Sequence, residues 1–334
     1  MKNQRILLRA DASPQIGAGH VMRSLALGQL LMDEGHEVHF GTIPDHPAIV
    51  DLLKQQGFKV HCMQQPDRLD AASDLYAFLG LAKGIQPSWV VLDGYHFDND
   101  YERQVKRSGY KLLRIDDIPS GHYYADVVLN QNYGAETFVY EKEPYTQVLA
   151  GLRHVLLRRE FRKIGLADKK INQGGPWHIM VSLGGSSTKT DELNFKIVQG
   201  LSSLCGEDHS ITLLAGKMGD GIKNFTDNNM AEEMSKADLA IVSGGSTMWE
   251  LVYMRVPFLA VSLNDRQREY IRTISLQGLC VELGRHEDLT PDLVDQRVRD
   301  LMGNLQKRGK MIEKYRSVMD KNHMGRDLLA VLSR

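Results

Sequence analysis

Residues 6–23 read ILLRADASPQIGAGHVMR. A short apolar run ends at Asp11, passes through Gly17 and Gly19, and opens a segment in which Val21, Leu25, Gly28 and Met32 recur at helical spacing. Strand, glycine turn and helix in that order form the opening unit of a parallel α/β sheet. The stretch is not the dinucleotide fingerprint G-x-G-x-x-G, because Met22 stands where the third glycine belongs.

Outward from this unit the alternation continues. Apolar runs HEVHFGTI, FKVHCM, WVVLDG, YKLLRIDD and ADVVLNQN are separated by amphipathic stretches at HPAIVDLLKQQG, LYAFLGLAKG and NDYERQVKRSG. The pattern restarts after Gly174-Gly175-Pro176 with WHIMVSLGG, a helix over 190–204, SITLLAG, ADLAIVSGG, a helix from Thr247, VPFLAVS, a helix after Arg266 and GLCVELG. Two α/β domains are expected, 1–157 and 177–315. A charged, glycine-ended linker over 158–176 joins them, and a C-terminal helix over 316–334 packs back on the first domain. In both halves a strand runs into a glycine-rich turn that opens a helix. The loops at the C-terminal strand ends are then expected to meet across an interdomain cleft, where open parallel sheets bind ligands.

Composition narrows the partners. The 334 residues carry a net charge of −1, with 42% hydrophobic and 25% charged residues. No basic field exists to attract nucleic acid or an anionic membrane surface. Cys62, Cys205 and Cys280 are far apart and odd in number, so neither a disulfide framework nor a cysteine zinc site is indicated. With no apolar stretch near the roughly 20 residues that span a bilayer, a cytoplasmic protein is expected, compatible with a monomer.

His20 falls where the first turn of its helix begins and points toward the expected cleft. There the positive end of the helix disfavours imidazolium and leaves a ring able to accept a proton; the alternative is an exposed histidine with no role. Asp11, at the end of the preceding strand, is the candidate to orient it. In LDGYHFDND, residues 92–100, Asp93, Tyr95 and His96 reach the same sheet edge, Tyr95 either bonding a sugar or leaving group or packing half-buried while Asp93 caps a turn. Asp116 and Asp117 are neighbours on one strand end and point opposite ways, which favours turn and capping roles over a metal. VSLGGSS, with Gly184, Gly185 and Ser186, and VSGGSTMWE, with Gly244, Gly245, Ser246 and Thr247, can both cradle phosphate, although neither is a P-loop. Thr247-x-x-Glu250 fits a capping box, while Glu250 could instead accept both hydroxyls of a ribose.

Taken together, RADASPQIGAGHVMRSLALGQLL, VVLDGYHF, LRIDD, LNQN, LLRREF, VSLGGSS and ADLAIVSGGSTMWELVYMRVP resemble the UDP-sugar hydrolases of pseudaminic acid biosynthesis, a family grouped with spore-coat polysaccharide proteins of the SpsG type and distantly with MurG. The likeness covers nearly the whole chain. It implies two Rossmann-like domains in the GT-B arrangement, with UDP held mainly by the second. It also implies release of UDP from UDP-2,4-diacetamido-2,4,6-trideoxy-β-L-altropyranose, with no cofactor and no required metal, in a polysaccharide or flagellin glycosylation pathway. Carried over, His20, Tyr95 and Asn264 are the catalytic candidates. Asp11, Gly17, Gly19, Arg23, Gly184, Gly185, Ser186, Gly244, Gly245, Ser246, Thr247, Glu250 and Gln267 are candidates for substrate and UDP binding. The family's adjacent Asn-Gln pair is here split, in SLNDRQREY, into Asn264 and Gln267. The mechanism implied is attack of water on the anomeric carbon with His20 as base. Its rivals are a GT-B glycosyltransferase, a hydrolysing UDP-sugar 2-epimerase and a nucleotide-sugar binding protein without activity.

Overall fold

The computed structural model describes residues 3–13, 16–63, 71–164, 171–184, 188–204, 209–214, 223–225, 230–319 and 325–333. The chain divides into one unit of residues 1–159 with 320–334 and a second of residues 160–319.

The first unit runs β1 (Arg5–Ala10), α1 (Gly19–Asp33), β2 (Glu37–Thr42), α2 (Pro47–Gln55), β3 (Lys59–Cys62), α3 (Ala71–Ile85), β4 (Trp89–Asp93), α4 (Asn99–Arg107), β5 (Lys111–Ile115), β6 (His122–Tyr123), β7 (Val127–Asn130), β8 (Glu141–Lys142) and β9 (Gln147–Ala150). Seven strands form a sheet in the order β3-β2-β1-β4-β5-β7-β9, and β6 pairs with β8 apart from it. Every pairing in the large sheet is parallel. The near-continuous apolar character of β1 and β4 follows from burial on both faces. Ile6 and Leu8 face one core with Val91, while Leu7 faces the other with Val90 and Leu92. The expected stripe of α1 packs inward, and Gly28 is the position where Phe58 comes too close for any side chain: a Cβ there would lie 2.4 Å from the ring.

The chain then enters α5 (Arg159–Ile164), where an exposed linker was expected. Phe161 is fully buried, and Arg159 bonds Gln29 through its backbone and Asp33 through its guanidinium. One aromatic among many charges is enough to anchor a segment whose composition reads as solvent-facing. The second unit continues with β10 (His178–Ser182), α6 (Thr188–Leu201), β11 (Ser210–Leu214), β12 (Lys223–Phe225), α7 (Met230–Lys236), β13 (Leu239–Ser243), α8 (Thr247–Met254), β14 (Phe258–Ser262), α9 (Asp265–Leu276), β15 (Val281–Arg285), α10 (Pro291–Gly303) and α11 (Leu305–Val318). Its parallel sheet has the order β12-β11-β10-β13-β14-β15. Both sheets therefore reverse direction beside their first strand, between β1 and β4 in one and between β10 and β13 in the other. These reversals are the topological switch points of doubly wound folds.

The last helix, α12 (Arg326–Leu332), belongs to the first unit and inserts Leu328, Val331 and Leu332 into the core beneath α1. Leu328 is 1% exposed. Leu328→Ala is expected to lower stability by about 2–5 kcal/mol through the cavity it leaves, read as a shift of the urea midpoint.

Candidate active site

The C-terminal edge of the first sheet gathers the loops after β1, β4, β5 and β7. Gly17 closes the first of these by donating its N–H to Ser13 O at 2.8 Å, in a left-handed conformation (φ 74°) that glycine adopts without strain. Gly19 has neither a positive φ nor a neighbour within 4 Å of where a Cβ would stand. Neither conformation nor packing asks for glycine there. The N-cap of α1, Ala18, supplies no side-chain bond, so the first-turn N–H groups have no side-chain cap.

His20 occupies the first turn, with about a tenth of its side chain exposed. Its Nδ1 lies 2.8 Å from Oδ1 of Asp93. Asp93 ends β4, is wholly buried, and also accepts from Arg23 Nε at 2.8 Å, Arg23 Nη2 at 2.7 Å and Ser24 Oγ at 3.1 Å. Burial alone would raise the Asp93 carboxyl, but Arg23 and His20 outweigh it and hold it below the usual aspartate range. An ionised Asp93 accepts the Nδ1–H, which fixes the tautomer and leaves Nε2 as the proton acceptor. The 3.3 Å contact of Arg23 Nη2 with Nδ1 is then two donors meeting on one oxygen. Asp11, expected to orient His20, is not its partner: it bonds Arg9 and the Ile43 N–H. The strand that supplies the orienting carboxylate is β4, the neighbour of β1 in the sheet.

Arg23 reaches further. Its Nη1 pairs with Asp117, and Asp117 also accepts from Tyr95 Oη and Asn132 Nδ2, each at 2.8 Å. Burial is opposed by the Arg23 charge and these bonds, which keep the Asp117 carboxyl well down. Asp117, read from sequence as a turn or cap, thus belongs to the cluster, while Asp116 turns the opposite way and accepts from Tyr123 Oη at 2.8 Å. Arg23, expected to meet substrate, directs its guanidinium inward to two aspartates. Tyr95 is 57% exposed and packs edge-on against His20, with ring centroids 4.6 Å apart. The sequence brought His20, Tyr95 and Asp93 to one edge; it assigned no site role to Asp117 and Asn132, which stand just past β5 and β7 in the stretches LRIDD and LNQN.

The second unit gathers its candidates at the corresponding edge. Gly184 follows β10 with φ 85°, and Ser243 Oγ donates to Leu183 O at 2.9 Å, tying the two glycine turns together. Gly185 and Ser186 lie outside the described residues. Gly244 is crowded, since a Cβ would sit 2.9 Å from Gln267 Cβ, whereas Gly245 meets nothing within 4 Å and has no positive φ. Ser246 is the N-cap of α8 and makes no side-chain cap bond. Thr247 is already inside the helix, so the capping box with the buried Glu250 does not form. Asn264 and Gln267 form a related arrangement: Asn264, the N-cap of α9, accepts from Gln267 N at 3.0 Å, and Gln267 Oε1 reaches back one residue further to accept from Leu263 N at 2.9 Å. Among the described residues no group of three or more His, Cys, Asp or Glu is placed to hold a metal ion.

Two outcomes follow from the electrostatics. Asp93→Asn leaves Arg23 with Asp117 as its one charged partner and costs the buried hydrogen bonds to the Asp93 carboxylate, so a loss of about 1–3 kcal/mol is expected by urea denaturation. Glu102, beneath the site, is pushed by burial up to about 7 despite Arg114. Its folded pKa exceeds its unfolded value of 4.5, so its contribution is fully present below that value and is lost as pH rises through the folded pKa. Glu102→Gln should remove that part of the decline in the urea midpoint across this window. The lowered Asp93 and Asp117 act in the other sense, contributing above the usual aspartate range and losing their share on acidification below it.

No protein-family model matches the chain. It is 25% identical over 83% of its length to the UDP-2,4-diacetamido-2,4,6-trideoxy-beta-L-altropyranose hydrolase of Campylobacter jejuni, covering 98% of that protein. It is 27% identical to an uncharacterized protein of Methanocaldococcus jannaschii, over 81% of this chain but only 59% of that protein's length. A third relative, the spore coat polysaccharide biosynthesis protein SpsG of Bacillus subtilis, is 27% identical over 51% of this chain and 53% of its own. Among solved structures, MurG of Acinetobacter baumannii superposes with a TM-score of 0.65 at 18% identity over 99% of both chains. The calicheamicin glycosyltransferase CalG4 gives 0.68 at 15% identity over 99% of this chain and 98% of its own. By sequence the chain is similar to the Campylobacter hydrolase and to SpsG, and its two Rossmann-like units are of the GT-B fold class.

Proposed function

We propose that the protein is a UDP-sugar hydrolase that releases UDP from a UDP-linked 2,4-diacetamido-2,4,6-trideoxy hexose, in the biosynthesis of a pseudaminic acid type of sugar. The observation that carries this reading is the His20–Asp93 pair at the switch point of the first sheet, with Nδ1 engaged at 2.8 Å. In this reading Nε2 takes a proton from water as its oxygen attacks the anomeric carbon. The bond from that carbon to the diphosphate oxygen breaks, and UDP leaves with the electron pair. Asp93 stabilises the imidazolium formed on the way. The glycine turns at Gly184 and Gly244, with the Ser246 and Thr247 N–H groups where α8 begins, take the diphosphate, because fixed backbone N–H groups meet growing negative charge without reorganising; the Gly245, Met248 and Trp249 N–H groups are already engaged within the turn. Glu250 is the ribose candidate.

A glycosyltransferase reading is supported by the fold likeness to MurG and CalG4. It differs only in the nucleophile, so product analysis separates the two. A panel of UDP-sugars, including the trideoxy-diacetamido altrose, is incubated with the protein in heavy-oxygen water and followed by NMR and mass spectrometry. The hydrolase reading expects UDP without label and free sugar labelled at the anomeric oxygen. Label in the nucleotide, or release of UDP only when a sugar or lipid acceptor is added, would overturn it. His20→Asn is expected to lower turnover about 10²- to 10⁴-fold, the usual worth of general-base help, while UDP affinity by calorimetry stays within a few-fold of the parent.

A further inference from the structure

A second histidine–carboxylate pair stands at the same sheet edge, arranged crosswise to the first. Asp93, at the end of β4, holds His20 from the loop after β1. Asp11, after β1, pairs with His96 from the loop after β4, with Nε2 3.4 Å from Oδ2. Asp11 is fixed independently of that histidine: Arg9 pairs with Oδ1, the Ile43 N–H donates to it at 2.8 Å and Thr42 Oγ1 at 3.4 Å. Burial would raise its carboxyl, but the bonds from His96 and Arg9 prevail and hold it well down. His96 is thus placed against a carboxylate that stays ionised.

The ring itself is held and yet reachable. It packs on Phe97 with centroids 3.9 Å apart, and Phe97 in turn lies under the guanidinium groups of Arg9 and Arg114, at 5.4 and 5.8 Å. Even so, 43% of the His96 side chain is exposed. The ring edge that carries Nδ1 and Cε1 lies over Gly94, where a side chain would collide with it. A Cβ at that glycine would lie 3.0 Å from Nδ1 and 2.8 Å from Cε1 of His96, and its backbone has no positive φ that would demand glycine. The charged and titratable groups around this ring are Asp11, Arg9 and Arg114, with Asp74 and Tyr101 behind Arg9.

We propose that His96 is a second catalytic imidazole, held through Nε2 by Asp11, whose Nδ1–H donates to an anionic oxygen of the leaving diphosphate. No proton is transferred: as the carbon–oxygen bond breaks, the pair moves onto that oxygen and the hydrogen bond shortens around the new charge. This assignment rests on the UDP-sugar hydrolase reading for the step itself.

The test separates the two. His96→Gln, with its fold checked by circular dichroism and its thermal midpoint, is expected to lower kcat/KM roughly 10²-fold, as for loss of one donor to a developing oxyanion. Gly94→Ala, which crowds the Nδ1 edge, should lower it in the same direction. The His96 Cε1–H resonance, assigned by its absence in His96→Gln, is expected to shift when UDP is added to the unaltered protein. Turnover of His96→Gln within two-fold of the parent, or a resonance unmoved when phosphorus NMR shows UDP bound, overturns the assignment. If the parent hydrolyses no UDP-sugar, the hydrolase reading falls, and the resonance still decides whether His96 meets the diphosphate.

Discussion

The first unit depends on one buried negative charge. Taking a carboxylate out of water costs several kcal/mol even after relaxation, and Asp93 has no exposure at all. The cost is offset by a two-point bond from Arg23 at 2.8 and 2.7 Å, with His20 and Ser24 filling the remaining acceptor positions. Because the Arg23 fork is rigid and planar, engaging Asp93 with two nitrogens aims the third at Asp117, and Asp117 then takes the Tyr95 hydroxyl. One charge pair thereby locks loops from three neighbouring strands. A network with every member satisfied rigidifies its surroundings, and a partly satisfied one does not. The precision of the His20 ring is a property of the whole chain of contacts.

The place of this cluster follows from topology. Beside β1 the sheet changes direction, so the loops after β1 and β4 part toward opposite faces and leave room between them. Residues following β1 and β4 answer one another across it, which accounts for the crosswise Asp93–His20 and Asp11–His96 pairs. The second unit repeats the topology with different contents. Beside β10 and β13 it places backbone: Gly184 takes a left-handed conformation, Gly245 has open space where a side chain would project, and Ser243 ties the two turns together. One sheet edge offers imidazoles and carboxylates, the other N–H groups and clearance.

Periodicity made most of this fold legible. The strands that carry the site are apolar runs ending in glycine or acidic residues, and a run buried on both faces has few readings. Partner choice was not legible. Asp11 is near His20 in sequence and Asp93 is far, but the sheet order puts β4 beside β1, and pairing follows the sheet. Alternation correctly sent Asp116 and Asp117 to opposite sides; it could not say that one of those sides is where Arg23 arrives. Asn264 and Gln267 look like a broken pair in a line of text, yet three residues is the spacing that lets a cap and its reciprocal partner close. Phe161 shows the opposite failure, a single apolar residue that composition averages away and packing does not.

The direction of the Tyr95 hydroxyl bears on what chemistry the edge can support. The Tyr95 hydroxyl donates to Asp117 at 2.8 Å, and desolvation around the hydroxyl together with that carboxylate pushes the phenol well above its usual value. A tyrosine so placed does not deliver a proton at neutral pH. It presents lone pairs, suited to a hydroxyl or amide N–H of a sugar. Glycosidases that expel poor alkoxide leaving groups need a carboxylic acid to protonate the departing oxygen, paired with a second carboxylate. This edge holds an imidazole paired with a carboxylate, a tyrosine bonded to a second carboxylate, and, at Asp93 and Asp117, aspartates that Arg23 holds ionised. Such a set can activate water and hold a sugar, and it fits a leaving group that departs as a stable anion and asks only for hydrogen bonds. A diphosphate is that kind of leaving group.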